Sequence, residues 1–346
     1  MPSMTRRVAF AAVCAIGAVG CGGDAKTPEQ QALLDVKAYV ATNLNDFVDA
    51  AQKLQAAAPA ADEDGWNATA DGAALTEMKA QWKRARVAYE HVEGAIAVLF
   101  PELDVSTDER YDGFIADNGP DAALFDDMIV TGVHGIERIL WSNMIPDTVV
   151  AFESALPGYK APAFPATRQE AEDFKTKLCA KLVTDAIEMR SEFQPLALDP
   201  ATAYRGVIGS MEEQLEKADF AATGEEESRY AQYTLADMRA NVAAGVATFD
   251  AFKPWLKSKA GGPEMITKIE ADFARVNAAY AGLPGDALPP VPATWSSQNP
   301  TTADLATPFG MLWSVLHMEA DPATSGTLVS DMNTSAQMLG IPELPQ

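Results

Sequence analysis

Seven apolar side chains between Met78 and Leu99 restrict this chain more than any other feature. Met78, Trp82, Ala85, Tyr89, Val92, Ile96 and Leu99 recur at steps of 4, 3, 4, 3, 4 and 3. Only a helix brings residues so spaced onto one face, and the alternation of fours and threes is the buried seam of a helix bundle. The spacing predicts a helix over about 73–99, with Pro101 ending it. Leu33, Val36, Val40, Leu44, Phe47 and Leu54 predict another from about Glu29 to Ala58, stopped by Pro59. Leu235, Met238, Val242, Gly245 and Phe249 predict one over 234–253, which Pro254 should end or kink. Helices are also expected over 168–195, opened by Thr167 and Glu170 as a capping pair, and over 201–219, 263–282, 302–319 and 322–339. No sustained period-two run occurs, so strands are not expected. The expected fold is all-α: residues 31–342 form two helical bundles, the first about 31–155 and the second about 156–342. With 48% apolar residues in a chain of 346, there is enough core for both.

The polar residues beside two of these seams point to a site. Arg86, Glu90 and Glu93 lie one residue past the seam of the 73–99 helix. A mostly apolar run from Leu124 leads into a second seam, Ile129, Val133, Ile136 and Leu140, at steps of 4, 3 and 4. His134 and Glu137 sit one residue further round, three apart, and so share a face. Antiparallel neighbours are the rule in bundles, and there such equivalent flanks face one another. Glu90, Glu93, His134 and Glu137 can therefore converge, with Asp112 arriving from the charged loop Glu102–Pro120. Burying these groups unpaired is costly. Either a cation lies among them, or Arg86 and Arg138 neutralise them in an ion-pair network. Carboxylates with one imidazole make a hard, oxygen-rich donor set, suited to Fe, Mn, Zn or Ca rather than Cu(I). Asp237 and Asn241, beside the 234–253 seam, read as structural hydrogen-bonders.

The formal charge is −23, which makes nucleic acid a poor partner and cations natural ones. Arg6 and Arg7 precede an apolar stretch, Val8–Val19, too short to span a bilayer, and then Ala18-Val19-Gly20-Cys21. This pattern resembles a bacterial lipoprotein signal: residues 1–20 would be removed, Cys21 lipidated, and residues 21–30 left as a tether. The mature chain would hold 49 acids against 24 bases, a charge of −25. Cys179 would be its one unlipidated cysteine, a small core residue of a helix with no partner for an intrachain disulfide. Several catalytic signatures are missing: there is no HExxH helix, GxSxG elbow, P-loop or GxGxxG turn.

Gly132-Val133-His134-Gly135-Ile136-Glu137 resembles the GxHxxE motif of imelysin-like proteins, which include the EfeO/EfeM iron-uptake lipoproteins. Trp82, Arg86, Tyr89, Glu90 and Glu93 are similar to a W-x-x-x-R-x-x-Y-E-x-x-E helix of that family, and Asp112-Gly113 to its Asp-Gly loop. Thr223-Gly224-Glu225-Glu226 with Asn241 resembles the EfeO branch, whereas Thr234-Leu235-Ala236-Asp237 resembles the imelysin branch. The resemblance implies two bundles related by duplication. It implies a divalent or ferric metal site, iron expected and zinc admissible, at His134 and Glu137, with Glu90, Glu93 and Asp112 as nearby acids. It further implies a lipid-anchored position on the periplasmic side of the cell envelope and delivery of iron to an inner-membrane transporter. The alternative it leaves open is an envelope metallopeptidase, with a glutamate as base on a metal-bound water.

The targeting pattern has a direct consequence. Cys21→Ser should shift the expressed chain from the membrane fraction to the soluble fraction, read by fractionation and intact-mass measurement. A chain that stays membrane-bound in the variant would rule out the lipid anchor.

Overall fold

The computed structural model describes residues 26–344, so the expected signal segment and Cys21 lie outside the described residues. In chain order the helices are α1 Pro28–Ala56, α2 Gly72–Glu90, α3 Glu93–Leu99, α4 Pro101–Asp108, α5 Tyr111–Asn118, α6 Gly132–Leu140, α7 Asp147–Glu153, α8 Arg168–Asp173, α9 Cys179–Phe193, α10 Pro200–Ala221, α11 Thr234–Lys257, α12 Gly262–Ala281, α13 Thr302–Leu305, α14 Pro308–Glu319 and α15 Leu328–Leu339. A π-helical turn, Phe174–Leu178, joins α8 to α9. No strand occurs among the described residues.

Two sets of helices share one apolar core. In the first, α1 packs along α2 and α9, and α6 lies against α2, α4 and α9. In the second, α10 and α12 flank α11, with α14 and α15 closing the far side. Helix α9 therefore packs with the first set, although it follows residue 155 in sequence. Contacts of α11 with α1 and α2, and of α10 with α3, join the sets. The core they enclose is continuous from Leu44, Phe47 and Trp82 through Ile136 and Leu140 to Met238, Phe252 and Met332. Cys179 is fully buried in it, and burial pushes its thiol pKa up. Among the described residues no helix is long and apolar enough to cross a membrane.

The structure departs from the spacing in five places. The helix expected over 73–99 is broken at His91–Val92. The seam survives the break, with Met78, Trp82, Ala85, Tyr89, Val92 and Ile96 all buried. At the break Asn241 of α11 donates from Nδ2 to the Glu90 carbonyl oxygen at 3.0 Å, taking up an acceptor at the end of α2. Just beyond, Gly94 meets Gly206 of α10 so closely that a Cβ on Gly206 would lie 2.0 Å from the Gly94 oxygen. Secondly, the charged stretch 102–120 is two short helices rather than a loop, which puts Asp112 in the first turn of α5. Thirdly, the helix bearing His134 begins at Gly132, so Ile129 lies before it and packs with Tyr111, Phe114, Ile115 and Val130 in a small separate cluster. Gly132 has φ +69°, and a Cβ there would lie 2.1 Å from the Thr107 oxygen, so glycine is what lets α6 start against the end of α4. Finally, α11 continues past the exposed Pro254 to Lys257, and the stretch 302–319 divides before Pro308.

Two glycines of α10 make the α3–α10 contact testable. Gly206→Ala should destabilise the protein by about 1–3 kcal/mol, the usual cost of overpacking a tight contact. Gly209→Ala, where nothing lies within 4 Å of the new methyl, should gain roughly 0.5–1 kcal/mol from helix propensity. Urea unfolding of the two variants checks the contrast.

Candidate metal centre

Helices α2, α3, α4, α6, α10 and α11 direct polar side chains into one buried cluster where the two sets meet. Arg86, fully buried in α2, is its hub. The guanidinium pairs with Glu90 one turn on, with Asp108 at the end of α4, with Glu227 at 2.7 Å from the loop before α11, and with Asp237 at 3.4 Å from α11. Lys217 of α10 is the second cation. Its Nζ lies 3.3 Å from both Glu90 and Glu93, and 2.9 Å from Glu227. Asn241 Nδ2 also donates to Glu93 Oε2 at 2.7 Å. Five carboxylates, Glu90, Glu93, Asp108, Glu227 and Asp237, thus face two positive charges.

His134 enters from α6. Its Nδ1 lies 2.9 Å from Glu137 Oε2, one turn along the same helix. Glu137 is held in turn by the backbone N–H groups of Tyr230 and Ala231, which donate to its Oε1 at 3.0 and 2.7 Å. Both oxygens of Glu137 are therefore engaged, and the carboxylate is turned toward the Nδ1 side of the imidazole. In the neutral tautomer whose Nδ1–H donates to the Glu137 carboxylate, Nε2 carries a lone pair. Nε2 is buried, has no hydrogen-bond partner, and lies 3.3 Å from Asp108 Oδ1. Two electron-rich atoms at that distance repel unless a proton or a cation lies between them. A carboxylate behind one imidazole nitrogen, with the other left open, is the arrangement that orients histidine as a metal ligand.

Two overlapping groups have ligand atoms within 4.8 Å of one another: Asp108, His134 and Glu227, and Glu90, Glu93, Asp108 and Glu227. Asp108 and Glu227 belong to both. The residues present fit a hard cation by donor type, by number, and by the unpartnered imidazole nitrogen.

The electrostatics agree. Burial raises the Glu90 and Asp108 pKa values well above the carboxylate range; Arg86 offsets part of this, and neighbouring carboxylates add to it. Burial likewise raises Asp237 and Asp104 to about 7 each; Asp104 accepts the Tyr89 hydroxyl. Glu227 moves the opposite way: burial works against its charge, but the Lys217 and Arg86 cations overcome it and hold the group ionised. Burial lowers the His134 pKa, which keeps the imidazole neutral and its lone pair available. The cluster thus has more acids than it can ionise with its own two cations.

Of the residues singled out from sequence, the structure joins Glu90, Glu93 and His134 through Asp108 and Glu227. Glu137 stands behind His134 and is absent from both ligand groups. Asp112 is held apart by Arg229. Arg138 is occupied elsewhere, pairing with Glu153 and lying over the Tyr111 ring at 3.7 Å. Asp237 takes Arg86 and the Ser228 hydroxyl, and Asn241 is the hydrogen-bonder just described. Tyr89 braces Asp104, and Gly132 starts α6. His91, at the break after α2, lies outside the cluster and bonds the Tyr39 hydroxyl, at 2.6 Å.

Sequence reasoning missed Asp108, Glu227, Lys217 and Asp104. Asp104 and Asp108 lie one helical turn apart, a signal hidden by reading 102–120 as loop. Ser210, Gln214 and Lys217 fall at steps of 4 and 3 on the buried side of α10, polar residues where apolar ones are the rule. Glu227 stands in an acidic turn, and nothing local sets it apart from its neighbours.

An acid-rich, histidine-capped cage at the junction of two helical bundles defines the class. Residues 36–307 match the imelysin family, and the chain belongs to it. An EfeM/EfeO family lipoprotein of Staphylococcus haemolyticus is 25% identical over 256 residues, covering 74% of this chain and 71% of that one. One from Staphylococcus aureus is 25% identical over 252 residues, covering 73% and 71%. The crystal structure of an imelysin-like protein from Psychrobacter arcticum superposes with a TM-score of 0.53 at 12% identity, over 92% of this chain and 98% of that one.

The raised Asp104 pKa carries a sign that can be measured. The folded form holds a proton that the unfolded form releases at lower pH, so this group's contribution to stability falls as pH rises toward its folded value. Asp104→Asn keeps the Tyr89 contact and cannot titrate. It should lose less stability than the parent between about pH 5 and about pH 8, read by urea unfolding at each pH.

Proposed function

We propose that this protein is a lipid-anchored, metal-capturing component of the bacterial cell envelope, of the EfeO type. Its cargo is iron, with zinc an admissible substitute, and it passes the ion to an inner-membrane iron transporter. The observation that carries this reading is the unpartnered Nε2 of His134 beside Asp108 and Glu227, within a cage that holds more carboxylates than cations. Kinship with EfeM/EfeO lipoproteins supports the envelope setting and the anchor at Cys21. A charge of −23 would concentrate cations near the protein from low bulk levels.

The division of labour follows from geometry. His134, Asp108 and Glu227 are the expected ligands nearest the imidazole, and Glu90 and Glu93 extend the cage toward α3. Glu137 positions His134. Asp112 has no place among the ligands, because Arg229 holds it. The peptidase alternative requires a base that faces the ion, and Glu137 faces the opposite nitrogen of His134 instead.

Calorimetric titration with Fe²⁺ and Zn²⁺ should show one strong site. His134→Ala, Asp108→Asn and Glu227→Gln should each weaken it severely, Glu137→Gln by about 10–100-fold as an outer partner, and Asp112→Asn little. A metal ion must displace the protons held by the raised carboxylates, so affinity should rise from about pH 5 to about pH 8 with proton release. Titrations that the ligand variants leave unchanged would end the proposal. Chelator-sensitive cleavage of an unstructured peptide would favour the enzyme instead.

A further inference from the structure

Of the two cations in the cluster, one is locked and the other is not. Arg86 is fully enclosed, and four carboxylates from α2, α4, α11 and the loop before α11 hold it. Lys217 sits at the edge. It forms part of the wall of a cavity of about 230 Å³ that opens from the cluster to solvent, with Glu213, Glu216, Asp104 and Arg110 also on its wall. Its ammonium reaches Glu90, Glu93 and Glu227, three of the four carboxylates whose oxygens lie close enough together to hold a metal ion. Lysine is a compact point charge on a flexible four-carbon stem, so it can leave without disturbing the backbone, as the forked guanidinium of Arg86 cannot.

The geometry points to Lys217 as a tethered ammonium that fills the cage of the empty protein and that an incoming metal ion displaces into the adjoining cavity. This rests on the metal-capture reading above and adds its regulation. An ammonium and a dication cannot both sit among Glu90, Glu93 and Glu227, because they compete for the same three carboxylates and repel one another. The displaced amine has a receiver: Glu213 lies one turn earlier on α10, on the cavity wall. The exchange keeps the cage from standing as a cluster of uncompensated buried acids before capture. It also lowers apparent affinity by the fraction of time the ammonium is in place, which favours reversible holding and hand-over. On release the tether returns the lysine at high effective concentration and helps to expel the ion.

Two measurements on the full mature chain test this, with Zn²⁺ as the probe. In calorimetric titration, Lys217→Met should bind Zn²⁺ at least about tenfold more tightly than the parent, the ammonium no longer competing. The metal-free variant should melt at a lower temperature than the metal-free parent, and Zn²⁺ should reverse the order. In the unmodified protein, an amine-acylating reagent followed by peptide mass analysis should label Lys217 slowly without metal and several-fold faster with Zn²⁺. This second readout does not depend on the variant folding. Unchanged or weaker binding by Lys217→Met, or Lys217 labelling that Zn²⁺ does not accelerate, overturns the displacement. If the parent itself binds neither Zn²⁺ nor Fe²⁺, the capture reading fails as well, so the two failures are distinguishable.

Discussion

The fully buried guanidinium of Arg86 is the interaction on which the rest of this structure depends. A charge with no access to water must be met by opposite charge, and here it is met from four parts of the chain: Glu90 on its own helix, Asp108 from α4, Glu227 from the loop before α11, and Asp237 from α11. Satisfying one side chain therefore ties the two bundles together at a polar point inside an otherwise apolar core. The same demand draws in more carboxylate than one arginine can neutralise, and Lys217 makes up only part of the difference. The remaining imbalance is what makes the place suited to a further cation.

Local backbone features serve this meeting. The break after Glu90 ends α2 where Asn241 can take its carbonyl oxygen, and it turns Glu93 toward Lys217. Gly132, with positive φ, lets α6 begin against the end of α4, where Asp108 stands, and this brings His134 to that residue. Trp82 donates its indole N–H to the Val133 carbonyl oxygen at 2.8 Å, pinning α6 to α2 beside the cluster. The geometry of the cluster is thus held by helices rather than by loops, apart from Glu227. That residue sits in the segment whose backbone N–H groups, at Tyr230 and Ala231, also hold Glu137.

Much of this was legible in the residues. The spacing of Met78, Trp82, Ala85 and Tyr89 marked a buried seam, and all four are buried. Glu90, Glu93 and His134 were picked out because they follow seam residues, and they do reach one cluster. What failed were contacts that depend on which side chain reaches a partner first. Asp112 has the right chemistry and the wrong neighbour, since Arg229 is closer to it than the cage is. Glu137 shares a helix face with His134, and that same spacing lets it bond the imidazole. Asp108, Lys217 and Glu227 escaped because their importance comes from neighbours far along the chain.

The sequence by itself determined that the chain would be helical, which faces would be buried, and that acids and one imidazole would border the core. Those properties are periodic and local, and every three or four residues restate them. Only the tertiary structure decided the membership of the cage, the engagement of Glu137, the diversion of Asp112 and the position of Lys217 beside an open cavity. These are settled by distances of a few ångströms, mostly between segments distant in the chain, and by competition among charges for partners in a low-dielectric interior, where a small displacement changes which pair forms.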